Sequence, residues 1–340
     1  MSNLSQFFGS GTTSSERMLG MFPRLFGDGS YGSGTIGVNT EGGYLSAFGV
    51  RQYTDLTISA GVTLSAATGT SYGGIFIAVS GTLTLNGTIS AVGGNATNAT
   101  ATTSGNAGAG AGGPAGGASK TVEGAGTNGA LSTTPTGAGG PGGSGAYSAS
   151  NNAYSGGNGV GLIIPTAANP WMGIRLSSGL LLPSAYTTQS ATGGTSTAAS
   201  TVQTALGSSA ATGFLLNVPI AGCGGGAGGA NSGAVSNTCG GSGGGGGGHI
   251  YIEARTVAFG GACAISVAGG NGGNAARDGA GSASGGRGGA GGRVIIICRE
   301  YTGTPPTINV SGGTGGTGVG SGAAGGSGAS GDYAIWVLGS

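Results

Sequence analysis

The stretch GHIYIEAR at positions 248–255 returns as GRVIIICR at positions 292–299, 44 residues later. In the first copy apolar and polar residues alternate, so that Ile250, Ile252 and Ala254 fall on one face. Alternation with a period of two is typical of a half-buried β-strand. We therefore predict that both copies are strands and that these three side chains point into a core.

The strand that follows each copy repeats as well. AISV at 264–267 precedes GGNGGN, and TINV at 307–310 precedes GGTGGT. An earlier copy with the same order of strand, turn, strand and glycine tract spans 74–95, and a truncated copy occupies 333–338. Repetition of one such unit is typical of stacked architectures. The predicted fold class is therefore all-β, with a parallel β-solenoid or a closely related stacked sheet as its spine.

Glycine dominates the composition. The chain has 340 residues, of which 87 are Gly, 10 are Lys or Arg, 9 are Asp or Glu and 1 is His. Ordinary domains contain about 7% Gly and about 25% charged residues. A net charge of +1 and a mean hydropathy of +0.18 argue against disorder. Ten prolines and no strict Gly-X-Y period argue against collagen, so an unusual folded architecture is indicated.

Glycine-rich excursions leave the strands at 93–160, 222–248, 269–291 and 312–331. Such tracts cannot build an apolar core, but a polyproline-II-type backbone has about three residues per turn and no internal hydrogen bonds. Neighbouring tracts can therefore pair their N–H and C=O groups where Gly stands at the contact positions. We predict that the excursions pack on one another as polyglycine-II helices. Unordered loops are the alternative, and the recurring entry and exit sequences favour order.

Composition divides the chain into five segments. Segment 161–221 stands apart because it is rich in Ser and Thr and contains the mid-chain Trp171. The predicted segments are 1–42 for N-terminal attachment, 43–95 for the first solenoid strands, 96–160 for a glycine-rich excursion, 161–221 for an inserted Ser/Thr-rich lobe, and 222–340 for glycine-rich tracts with the C-terminal solenoid repeats.

Side chains suited to catalysis are scarce. Only five acidic residues lie beyond position 55, whereas glycoside hydrolysis needs a pair of carboxylates. Glu253 falls on the outer face of its strand beside Arg255, where a surface ion pair is the expected role. His249 is the single histidine and aligns with Arg293 at a strand entry. We therefore expect no enzymatic activity, no catalytic residue, no cofactor and no metal ion.

The four cysteines have no CxxC spacing. Cys298 aligns with the inward Ala254, and Cys263 shares the inward face of the next strand, so both are predicted to be small buried residues. Cys223 and Cys239 flank a glycine-rich loop and form a candidate disulfide. Two free thiols at these positions are the alternative.

Four blocks of the sequence resemble a known group of proteins. LSQFFG at 4–9 is similar to the opening of tail and virion proteins of tailed bacteriophages. YTDLTISAGVTL at 53–64, IFI at 75–77 and GTLTLNGTIS at 81–90 are similar to the glycine-rich tail-fibre and adhesin-like proteins of those phages. The resemblance implies a virion surface protein whose N-terminal segment attaches to the particle and whose solenoid projects outward. We expect a tail fibre or tail-tip adhesin that presents loops to the host surface.

Two groups of apolar and aromatic residues are candidate contact sites. The first is too apolar for a free tail and is predicted to anchor the chain to the virion. It comprises Phe7, Phe8, Met18, Leu19, Phe22 and Phe26. The second stands in Gly- or Ser-rich surroundings and is predicted to contact the receptor, because exposed rings can stack on sugars or fill pockets. It comprises Tyr147, Tyr154, Trp171 and Tyr186, of which Trp171 alternatively packs on local backbone.

The expected partners are other virion proteins and a host cell-surface glycan or outer-membrane protein. Nucleic acid is not expected, because Lys120 is the only lysine and the chain has no basic stripe. Glu16 and Arg17 interrupt the place of a signal peptide, and no apolar run reaches about 18 residues. We therefore expect synthesis in the host cytoplasm, no membrane insertion and a final location on the virion surface. A homo-oligomer is expected, with a trimer as the favoured state.

Two other functions are also compatible with the sequence. One is a purely architectural decoration protein of the capsid or tail that contacts only other virion proteins. The other is a depolymerase acting on envelope polysaccharide of the host, a class that includes solenoid enzymes.

Overall fold

A computed structural model of the chain describes its strands and the glycine tracts between them. The described residues are 26–41, 45–46, 49–66, 74–100, 103, 105–109, 116, 163–165, 186–188, 224–225, 227, 230–231, 238–279 and 281–338. None of them is helical, so no helix among them could cross a membrane.

Nineteen strands lie in the described part of the chain. They are β1 Gly34–Ile36, β2 Thr40–Glu41, β3 Leu45–Ser46, β4 Gly49–Tyr53, β5 Leu56–Ile58, β6 Thr63–Ser65, β7 Gly74–Leu85, β8 Thr88–Ser90, β9 Ile163–Pro165, β10 Tyr186–Thr188, β11 Ala230–Asn231, β12 Thr238–Cys239, β13 His249–Phe259, β14 Ala264–Ser266, β15 Ala276–Arg277, β16 Ser282–Ala283, β17 Arg293–Thr302, β18 Ile308–Asn309 and β19 Asp332–Val337.

Two parallel sheets form the body of the protein. Sheet A has the order β1-β5-β7-β13-β17-β19, with β4 also pairing β7, and sheet B has the order β18-β14-β8-β6-β2. In sheet A, Ile250 pairs with Val294 and Ala254 with Cys298. These pairs are the ones that the sequence repeat predicts, so the parallel stacking of repeats is confirmed.

The main core lies between the two sheets. Ile250, Ile252 and Ala254 are buried there, which confirms the inward face predicted from alternation. Because the strands are parallel and in register, apolar residues of successive strands form continuous rows. The row nearest the strand entries in sheet A contains Ile75, Ile250 and Val294, all buried.

Strands of the predicted segments 43–95 and 222–340 belong to the same two sheets. Most of 96–160 and 161–221 lies outside the described residues, so the division into five segments stays a prediction. Small antiparallel pairs join β9 to β10, β11 to β16 and β12 to β15.

Glycine tracts run out from sheet B and back to sheet A. The outward tracts follow β8, β14 and β18, and occupy 93–100, 268–275 and 311–318. The return tracts run the opposite way, and three of them lead into β13, β17 and β19. They occupy 105–109, 241–248, 284–292 and 322–331.

Backbone hydrogen bonds join these tracts at every third residue. In the return tract 241–248, the N–H groups of Gly241, Gly244 and Gly247 donate to carbonyls of the next return tract at 2.9 Å. The tract 284–292 also uses Gly286, Gly289 and Gly292 to donate to the outward tract 268–275 and its flank. A period of three matches an extended conformer with about three residues per turn. Three consecutive residues of such a tract therefore face three different neighbours, and the fourth faces the same neighbour as the first.

Glycine is required wherever one tract faces the backbone of another. A Cβ added to Gly288 would overlap the carbonyl oxygen of Gly313, and one added to Gly289 would overlap that of Gly245. These neighbours are backbone atoms, so they cannot move aside as a flexible side chain could. The packing of the tracts thus explains why so many of these positions are glycine.

Replacing Gly288 with Ala is expected to lower the free energy of unfolding by about 1 to 3 kcal/mol, the usual cost of overpacking. Gly261→Ala is the matched control, because no atom lies within 4 Å of its added Cβ. The control is expected to change stability by less than about 0.5 kcal/mol. Denaturant unfolding measures both, and equal stability of the two variants would contradict the packing described here.

Candidate functional site

A row of polar side chains lies on the face of sheet A opposite the main core. His249, Tyr251 and Glu253 alternate along β13 and are only 1%, 4% and 1% exposed. The sequence places Glu253 at the surface beside Arg255, and that prediction is wrong for Glu253. Alternation establishes that these residues share a face, but it does not say whether the face is covered.

A second apolar cluster surrounds this polar row. Phe76, Tyr251, Ile295 and Ile297 are all buried and in contact, with Trp336 packed against them. The ring of Phe76 meets the imidazole of His249 edge to face, with centroids 4.6 Å apart. The polar row is therefore part of a packed layer rather than the floor of an open cleft.

Tyr251 and Glu253 are linked by a buried hydrogen bond. The phenol Oη of Tyr251 donates to Oε1 of Glu253 at 2.8 Å. Burial raises the pKa of Tyr251 well above its usual value, and the nearby Glu253 raises it further by charge and by accepting this bond. The pair can hold a carboxylate inside the protein, because a hydrogen bond offsets part of the cost of burying it.

The entry to the next strand, β17, carries an ion pair. Arg293 stands in register with His249, as the repeat predicts, and is 5% exposed. Its Nη2 lies 3.8 Å from Oδ2 of Asp332 on β19. Burial lowers the pKa of Arg293, and Asp332 partly offsets that shift. The pair ties the first residues of β17 and β19 together.

An exposed amide ladder runs along the outer edge of the outward tracts. The backbone N–H of Asn271 donates to Oδ1 of Asn95 at 2.8 Å, and that of Thr314 donates to Oδ1 of Asn271 at 2.8 Å. A parallel row joins Asn98, Asn274 and Thr317 through bonds of 2.9 and 2.8 Å. At this edge a backbone N–H has no neighbouring tract to bond to. The Asn side chain of the adjacent layer accepts it instead.

The sequence signal for this ladder is the triplet GGN at 93–95, repeated at 269–274 and replaced by GGT at 312–317. From the sequence, these triplets predicted only the entry to each excursion. The period of three within GGNGGN puts both Asn residues on one side of the tract. Residue type and spacing together therefore indicate a polar edge.

The turns that end the outward tracts meet at one end of the bundle. Neighbouring tracts are parallel and in register near their ends, where Ala99 N–H bonds to Asn274 and Ala275 N–H bonds to Thr317. Three turns follow, around Thr103, Asp278 and Gly320, and all three residues are exposed. Polar turn residues of successive layers consequently lie side by side, away from the two sheets.

Most of the predicted contact residues lie outside the described part of the chain. Among the predicted virion anchors, Phe26 is described, and it is 7% exposed, which leaves little of its ring for an external partner. Tyr186 begins β10 and pairs with Pro165 of β9. The remaining residues outside the description are Phe7, Phe8, Met18, Leu19, Phe22, Tyr147, Tyr154 and Trp171.

Three of the four cysteines lie in the described part of the chain. Cys298 is fully buried in register with Ala254, as predicted, whereas Cys263 is only partly buried and packs against the core. Cys239 is buried, and burial raises its pKa. Cys223 lies outside the described residues, so its disulfide with Cys239 stays a prediction.

Chemical groups for a metal site do not cluster in the described ranges. No three His, Cys, Asp or Glu side chains lie close enough there to hold a metal ion. The carboxylates of Glu253 and Asp332 are engaged with Tyr251 and Arg293, respectively. The arrangement of the described charges is therefore suited to stabilising the stack.

Comparison with known proteins finds no match: no protein family fits the sequence, and no curated protein or solved structure resembles the chain.

The raised pKa of Tyr251 predicts a loss of stability at alkaline pH. Its stabilising contribution is complete below the pKa of an unfolded tyrosine, about 10, and is lost as the pH rises toward the higher pKa of the folded state. The free energy of unfolding should therefore decline above about pH 10, and less steeply in Tyr251→Phe. Denaturant unfolding at a series of pH values measures this, and identical profiles for the two proteins would refute the assignment.

Removing the amide of Asn271 should open the ladder. Asn271→Ala leaves the N–H of Thr314 without its acceptor, at an expected cost of about 1 kcal/mol. Asn271→Asp keeps an oxygen at Oδ1 and is the matched control. Amide exchange at Thr314 should become faster in the Ala variant and stay slow in the Asp variant. Equal exchange rates in all three proteins would contradict the role of Asn271.

Proposed function

We propose that this chain is a non-enzymatic structural protein of a tailed-phage virion, namely a tail fibre or tail-tip adhesin that displays turns for attachment to the host surface. In architecture, we propose that the parallel sheets are a β-solenoid and that the glycine tracts are polyglycine-II helices. The three-residue period of the hydrogen bonds between tracts supports the second part.

The observation that carries the proposal is the position of the turns. Exposed residues of three excursions, Thr103, Asp278 and Gly320, lie at one end of the bundle. Arg277 is exposed in the middle turn, and its guanidinium donates to the carbonyl of Gly281 at 3.0 Å. Such an end presents short polar turns on a rigid support, which is the arrangement that a binding surface built from loops requires.

Rigidity distinguishes this support from a flexible glycine linker. A free glycine chain would lose much conformational entropy on binding a receptor. Here the backbone bonds between tracts hold the turns in place before any partner arrives. Contacts made by Ser, Thr and Gly are weak one by one, so attachment would depend on many copies per particle. A homo-oligomer, with a trimer favoured, stays part of the proposal.

The burial of Glu253 weighs against the depolymerase alternative. This carboxylate is 1% exposed and accepts a bond from Tyr251, so it offers no open acid or base to a polysaccharide. The architectural alternative has one favourable observation. Tyr31 and Val38, near the first strands of the stack, are 60% and 72% exposed and could contact another virion protein.

Purified protein is expected to bind host cells, and antibodies against it should label intact virions of the phage that encodes it. Asp278→Ala, in the middle turn, should weaken cell binding by about tenfold, the effect of one lost contact of about 1.4 kcal/mol. Glu300→Ala is the matched control, because Glu300 is another exposed acidic residue, at the far end of β17. Flow cytometry with labelled protein measures both.

Three outcomes separate the candidate functions. Virion labelling without cell binding would favour the architectural role. Release of reducing sugars from host polysaccharide would establish the depolymerase. Equal loss of cell binding in Asp278→Ala and Glu300→Ala would contradict attachment through the turns.

A further inference from the structure

Return tracts inside the stack have glycine at every position that faces the next outward tract. A Cβ at any of these positions would overlap a backbone carbonyl of that tract, such as the carbonyl of Gly270 for Gly244 or of Gly313 for Gly288. The positions are Gly241, Gly244 and Gly247 in the return tract 241–248, and Gly285, Gly288 and Gly291 in the return tract 284–292.

The outermost described return tract, 322–331, departs from this rule. Its alignment with the tract 284–292 follows from equivalent bonds, because Gly286 and Gly325 each donate to the preceding outward tract, at Gly273 and Gly316. Gly289 and Gly328 correspond in the same way. The residues that align with Gly285, Gly288 and Gly291 are Ala324, Ser327 and Ser330, and all three are exposed.

We propose that Ala324, Ser327 and Ser330 cap the stack and prevent a further outward tract, above all that of a second copy of this chain, from adding to it. Each side chain projects into the space that such a tract would occupy. In the layers below, a methyl group at the same place would strike a carbonyl oxygen. The cap thus blocks end-to-end growth of the glycine bundle at this end.

Without the cap, the surface beneath would accept another tract. In inner layers the N–H groups of Gly269, Gly272 and Ala275 donate to the next outward tract at 2.8 to 2.9 Å. The aligned residues of the outermost outward tract are Gly312, Gly315 and Gly318. Their N–H groups donate to no carbonyl in the part of the chain that the structure describes. Three donors at regular spacing therefore face the blocked position.

The adjoining strand β19 is also protected. The N–H of Tyr333 points away from β17, since the N–H groups on the β17 side, those of Asp332 and Leu338, donate to Gly292 and Cys298. The carboxylate of Asp332 accepts that N–H at 2.8 Å. Charged groups on an edge strand are a known means of preventing unwanted strand addition. Tract and strand at this end are thus capped by different side chains.

The test uses a peptide that corresponds to one strand and outward tract, residues 307–318 (TINVSGGTGGTG). Such a segment follows each complete layer in sheet B, and its place above β18 and 311–318 is the one that Ala324, Ser327 and Ser330 block. Fluorescence anisotropy of the labelled peptide should detect binding to the triple variant Ala324→Gly/Ser327→Gly/Ser330→Gly. Wild-type protein should bind at least about tenfold more weakly. Sedimentation velocity reports in parallel whether the triple variant associates with itself.

The double variant Ala323→Gly/Ala329→Gly is the matched control. These residues lie in the same tract but align with Ser284 and Ala290, a position where the inner tract also carries side chains. The control adds glycine without opening the blocked space and should bind the peptide as weakly as wild type. The single variant Ser327→Gly, which perturbs the tract least, should bind with intermediate affinity. Equal peptide binding by wild type and the triple variant would overturn the proposal. So would the absence of peptide binding by both the triple variant and Ser327→Gly.

Discussion

Hydrogen bonds between bare backbones are the constraint on which this structure depends. A tract of about three residues per turn presents one N–H in three to each neighbour. Any such bond requires close approach, so the residue whose Cα faces the neighbour must lack a side chain. Gly245 and Gly270 meet this demand at the centre of the bundle, where each tract is surrounded by others. Glycine content is therefore a consequence of the neighbours of each residue.

The two sheets supply the apolar core that the glycine tracts lack. An apolar core between sheets A and B fixes the register of the strands, as in the pairing of Ala254 with Cys298. Because each tract is continuous with a strand, the strand register also sets the level at which the tract meets its neighbours. Strand spacing of about 4.8 Å becomes the spacing of the tract layers as well. The two halves of each repeat therefore stabilise each other.

Charged side chains are few in this chain. Burying an ion is expensive unless a partner lies close. Arg293 has Asp332 beside it, and Glu253 has the phenol of Tyr251. Where the tracts reach solvent, uncharged amides serve instead, as in the ladder through Asn271. A surface of this kind offers rows of small polar groups and turns, in keeping with the proposed role in display and attachment.

The sequence by itself determined the strand repeat, its register and the inward face of β13, because a period of two assigns side chains to faces without reference to the rest of the fold. It also indicated ordered glycine tracts through their recurring entry sequences. Tertiary structure alone decided that Tyr251 and Glu253 are buried, since a face is covered only by elements distant in the chain. Tertiary structure likewise decided at which positions a side chain would overlap a neighbouring tract, so that glycine is required there. It also decided why a side chain is tolerated at Ser327. That choice depends on the tract that lies opposite each Cα, and local sequence does not specify it.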